Sequence, residues 1–155
     1  MSRPRLALDV LDRSGGRTRI GRARLQRVLD AALAEADGAR ASLTVLLVGD
    51  GESARLHAEH FADPTPTDVM TFPDGEVDPE SGLVHLGDLA VGVDVARREA
   101  RARGRPLADE LTLYVLHGLL HLLGYDDVSA AKLRRMWGAQ RRLLAEVGIE
   151  IEERP

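Results

Sequence analysis

The stretch Leu107–Leu123 constrains this chain more than any other. At about 100° per residue, Leu111, Leu113, Val115, Leu116, Leu119, Leu120, Leu122 and Leu123 spread over a very wide apolar arc, so a helix here must be covered on nearly every side. The remaining narrow sector is one stripe: Glu110, Tyr114, His117 and His121. Such a helix needs other elements packed around it, and the rest of the chain supplies them.

Arg5–Val10 alternates weakly, as a strand does, and the turn residues Asp12 to Gly16 lead to an amphipathic helix over Ile20–Ala36. Ser42–Val48, rich in Leu and β-branched residues, reads as a buried strand closed by Gly49-Asp50-Gly51, with a short helix following at Glu52–Phe61. The two prolines of Asp63-Pro64-Thr65-Pro66 force an extended segment leading into a strand at Thr67–Phe72. An acidic, turn-rich connection then reaches a strand at Leu83–Val91, where Gly87 marks a bulge or a close backbone approach. Helices at Asp94–Arg103, Leu107–Leu123 and Ser129–Val147 finish the chain, each stopped by a glycine, and the tail Ile149–Pro155 is expected to fray. The pattern βαβαββααα predicts an α+β class: a small mixed β-sheet of about four strands flanked by about five helices, in a single domain over residues 1–155.

Composition narrows the chemistry. No cysteine is present, which removes thiolate catalysis and every Cys-bearing zinc site; any metal must sit on His, Asp or Glu. A net charge of −4 argues against nucleic-acid binding by bulk electrostatics, although 20 of the 21 basic residues are arginine and local patches are open to it. Aromatics make up 3% of the chain, too few for a platform stacking successive bases, so a nucleic-acid role would rest on backbone contacts. The longest mostly apolar stretch falls short of the ~20 residues a membrane span needs, and a cytoplasmic protein is expected.

His117 and His121, four apart on one helical stripe, present neighbouring imidazoles that can chelate one divalent metal, or can simply form the solvent-facing edge of a core helix. Gly124 can then end the helix and turn Tyr125-Asp126-Asp127 back towards them, offering a carboxylate. Two His plus one carboxylate leave an open position on zinc, which suits hydrolysis; the same set serves non-haem iron.

The run His117-Gly118-Leu119-Leu120-His121-Leu122-Leu123-Gly124-Tyr125-Asp126 resembles the signature of the YbeY endoribonucleases. Pro66-Thr67-Asp68-Val69-Met70-Thr71-Phe72-Pro73 and Leu86-Gly87-Asp88-Leu89 are similar to two further blocks of that family, in the same order and spacing. The resemblance implies a cytoplasmic, zinc-dependent hydrolase carrying one ion per chain. It would cut single-stranded RNA, mature ribosomal RNA at the small-subunit 3′ end, serve ribosome quality control and meet ribosomal or small-subunit proteins. Two positions depart from the pattern. Asp127 stands where the family has its third histidine, so His117, His121 and Asp127 are the expected metal ligands, with Asp126 as the alternative. His60-Phe61 replaces the family's Tyr-Arg, and Arg55, about a turn and a half earlier, is the expected substitute cation beside His117 in catalysis.

Gly118 occupies the position where a zincin carries its glutamate base, which disfavours peptide hydrolysis. Asp68, Asp88 and Glu110 are expected partners for the unligated imidazole nitrogens. The arginines 97, 98, 101, 103 and 105 read as a phosphate-contacting surface or a solvated helix face, and Met136 and Trp137 as core anchors. Rival readings are a hydrolase of peptides or small molecules, and a non-catalytic ribosome-assembly factor with a structural metal.

Overall fold

The computed structural model describes residues 5–16, 18–36 and 39–152. Their elements run β1 (Leu6–Asp12), α1 (Arg22–Ala36), β2 (Ala41–Val48), α2 (Asp50–Phe61), β3 (Val69–Pro73), β4 (Val84–Gly92), α3 (Val93–Arg103), α4 (Leu107–Leu122) and α5 (Ala130–Ala145). This is the α+β order expected from the sequence. The sheet has the order β1-β2-β4-β3. β1 and β4 lie parallel to β2, and only β3, on the edge, runs antiparallel.

β2 is the buried strand expected, more deeply covered on one face than on the other. Leu43, Val45 and Leu47 are buried while Ser42, Thr44 and Leu46 are partly exposed, so only one face of the strand meets the main core. That face packs with α1 and α4 residues in one cluster. α4 touches β3, β4, α1, α3 and α5, and Leu111, Leu116, Leu119 and Leu120 are almost wholly out of water. Each such leucine contributes about 1.5–3 kcal/mol relative to exposure, which fixes this helix more firmly than its propensity could.

Three glycines let the layers meet. Gly87, at φ +152°, sits where the β2–β4 register slips, and a Cβ there would fall 2.4 Å from the Phe72 carbonyl oxygen. Both readings of its role, bulge and close approach, therefore hold. A Cβ at Gly92 would lie 2.3 Å from the Thr67 carbonyl oxygen. At Gly118 it would meet the Leu89 side chain at 2.8 Å, so the position where a zincin has glutamate is here where α4 lies close on the sheet.

The tail is not frayed over its described part. Ile149 and Ile151 are buried, Trp137 Nε1 donates to the Glu152 carbonyl at 3.0 Å, and the Glu152 carboxylate accepts from Arg103 and Arg105. Its own backbone N–H, then Arg105 and Arg103, pull that carboxyl down to about 2.

Candidate active site

α4 carries His117 and His121 to a cleft of about 260 Å³ whose other wall is the end of α2 and the edge strand β3, with His57, Phe61, Asp68 and Thr71 among its lining. The two imidazoles meet edge to face, with centroids 4.6 Å apart and planes at 81°. Their Nε2 atoms stand 3.1 Å apart. Two nitrogens bound tetrahedrally to one zinc at ~2.0–2.1 Å would be separated by about 3.3 Å, so the pair is already near the spacing of a chelate.

The orientation of His117 comes from a residue that the sequence reading missed. Gln140 Oε1, wholly buried on α5, accepts from His117 Nδ1 at 2.6 Å. With the proton held on Nδ1, the Nε2 lone pair faces the cleft, and the proton shared with His121 Nε2 is the one a metal would displace. Gln140 Nε2 is itself buried without a hydrogen-bond partner. A core position that leaves half an amide unsatisfied does not serve the core, and its remaining bond is to the imidazole. A signal was available: Met136, Gln140, Leu143 and Leu144 share one face of α5, which puts a glutamine on an apolar stripe. Burial lowers the His117 pKa, Gln140 opposes this, and the neighbouring His121 adds to the lowering, so the ring is kept neutral as a ligand requires.

The carboxylates expected to orient the imidazoles do other work. Asp88 Oδ1 pairs with His85 Nε2 at 2.9 Å, and His85 Nδ1 meets Ser42 Oγ; Asp88 lies in register with Thr44, on the sheet face opposite the buried Leu89, and the bulge brings His85 onto that same face. Glu110 is buried with Tyr114 and forms an ion pair with Arg105 at 3.2 Å without hydrogen-bond alignment; burial pushes its carboxyl above the usual range. Along the stripe from Glu110 to His121, the histidine end is thus the more exposed. Asp68 Oδ1 accepts from Val69 N at 2.7 Å and acts on His117 only through space.

Among the described residues, no group of three His, Cys, Asp or Glu side chains is assembled for a metal. Asp127 is exposed on the loop after α4, and its charge is felt at His117. Asp126 caps the turn through Val128 N and pairs with Lys132 Nζ at 3.4 Å. Arg55, 58% exposed, lies between Glu52 and Glu59 and is not among the cleft's lining residues. His57 is: its Nδ1 donates to the Thr65 carbonyl at 2.7 Å. Of the arginines read as a possible phosphate surface, Arg98 is engaged with Asp50, Arg103 with Glu99 and Glu152, and Arg105 with Glu110 and Glu152. Met136 is a core residue, whereas Trp137 is partly buried and lines a second cavity of about 460 Å³ behind His117 and Asp68.

Comparison with known proteins matches residues 17–148 to the family model described as Endoribonuclease YbeY. The Endoribonuclease YbeY of Acidothermus cellulolyticus is 42% identical over 113 residues, 67% of this chain and 69% of that protein. That of Ruegeria pomeroyi is 34% identical over 139 residues, 80% and 84% of the two chains. The solution structure of TM1509 from Thermotoga maritima superposes with a TM-score of 0.64 at 27% identity, covering 90% of this chain and 88% of that one.

Proposed function

The chain belongs to the YbeY endoribonuclease family, hydrolases of RNA phosphodiester bonds, and on that premise we propose that it cuts single-stranded ribosomal RNA with the help of one zinc ion. The observation that carries this reading is the convergence of His117 and His121 Nε2 at 3.1 Å in a cleft. These two nitrogens would hold the ion, and Asp127 would join them by a movement of its exposed loop. When bound, such an ion supplies Lewis acidity to a phosphoryl oxygen and lowers the pKa of water.

The chain's own residues do the rest. Gln140 keeps the His117 proton on Nδ1. His57, held by its Nδ1–H on the Thr65 carbonyl, is the α2 side chain placed to meet a phosphate oxygen in the cleft. It needs no rearrangement to reach the cleft, whereas Arg55 would first have to leave Glu52 and Glu59. The reading extends to maturation of the small-subunit 3′ end in the cytoplasm, with ribosomal proteins as partners and a part in quality control.

The test combines metal analysis with cleavage of an unstructured RNA oligonucleotide. Wild-type protein should carry about one zinc per chain and cut the single strand, and His117→Ala and His121→Ala should lose both properties, since too few ligands remain. Cleavage undiminished in both variants would overturn the assignment.

A further inference from the structure

Of the two phenylalanines of this aromatic-poor chain, Phe61 lines the cleft and Phe72 packs beside it. Phe61 closes α2 and Phe72 lies on β3, with centroids 6.1 Å apart. His57 lies 5.7 Å from Phe61, and His60 meets Phe72 edge-on at 5.0 Å and 75°, so four rings form one patch. Phe61 remains 49% exposed and lines the same cleft as His117 and His121. Its position is fixed: Ala62 turns into the left-handed conformation directly after it, and the Ala62 N–H closes the helix on the His57 carbonyl.

We propose that Phe61, backed by Phe72, stacks the unpaired base of the nucleotide next to the phosphate presented to His117 and His121, and thereby selects single-stranded RNA. This rests on the nuclease reading above. A half-exposed ring beside two imidazoles offers a flat apolar face and no hydrogen-bond code, which suits any base that is free of a partner. In a duplex that base is already stacked and paired, and engaging Phe61 would require pulling it out. Composition predicted no platform for successive bases. The four rings here fit one base, and the backbone contacts of its neighbours carry the remainder.

Single-turnover cleavage by the metal-loaded protein, measured across protein concentrations, separates half-saturation from maximal rate. Phe61→Leu should raise the half-saturating concentration roughly 5- to 100-fold, with a smaller change in maximal rate, and Phe61→Tyr should behave as wild type. Among oligonucleotides carrying one abasic nucleotide, one position flanking the cleaved bond should impose the same penalty on wild type and none on Phe61→Leu. Unchanged zinc content and melting temperature in Phe61→Leu exclude a folding effect. Penalties that simply add at every abasic position, in a wild type that cleaves, would overturn the stacking proposal alone. A wild type that cleaves no RNA would overturn the nuclease reading and the stacking proposal with it.

Discussion

The two walls of the cleft are built in opposite ways. On the α4 wall, His117 is partly buried, tied to the wholly buried Gln140, and set on a helix that touches five other elements. On the α2–β3 wall, Phe61 is half in water, the segment behind it is Asp63-Pro64-Thr65-Pro66, and β3 is an edge strand of five residues. The groups that would hold the ion are thus positioned by the core, and those that would meet the substrate by a loop and an edge. Precise chemistry needs the first arrangement, and adaptable recognition tolerates the second.

The sharpest way to break this contrast is to cut the exposed wall from the sheet. Gly87→Ala places a methyl 2.4 Å from the Phe72 carbonyl oxygen at a φ of +152°. Backbone strain and overpacking together should cost about 3 kcal/mol, read as a fall in denaturant midpoint. β3 should loosen first, so amides of Val69–Phe72 should lose hydrogen-exchange protection before those of α4. Uniform loss across both walls would show that they are one cooperative unit.

A smaller effect sharpens the other side. Gln140→Leu keeps the volume roughly constant but strands the His117 Nδ1–H in the core, which should cost about 1–3 kcal/mol. Zinc affinity, titrated against a competing chelator, should fall roughly 10- to 100-fold, since an unoriented imidazole loses its preferred tautomer. Affinity equal to wild type would mean that packing alone aims the ring.

The sequence made the buried wall legible because its signals are local. The apolar arc of α4 and the i, i+4 histidines need no knowledge of other elements, and the element order followed from periodicity and glycine stops. What failed to show involved partners distant in sequence. His117 and Gln140 are 23 residues apart, and only the oddity of a glutamine on an apolar stripe hinted at the bond. Distance along α2 points to Arg55, yet at about 100° per residue it sits about 120° round from Phe61, whereas His57 is about 40° away. An average aromatic content could not reveal that the two phenylalanines pack together beside one cleft. The alternating Ile149 and Ile151 were a sign that the tail packs.

The mildest test addresses the joint between the walls. Ala62 is the one non-glycine residue with positive φ among those described, at 57°, and it ends α2 one residue after Phe61. An L-residue there pays about 1–2 kcal/mol in Cβ crowding, which glycine avoids. Glycine also widens the unfolded ensemble by about 0.4–1 kcal/mol, so Ala62→Gly should stabilise the protein by a net of about 0.5 kcal/mol. Because the folded geometry already is the one glycine prefers, the ring of Phe61 should stay in place and half-saturation by RNA should not change. A variant that gains stability but binds RNA more weakly would show that the strained alanine restricts Phe61, and that the exposed wall is held in position by more than its few contacts.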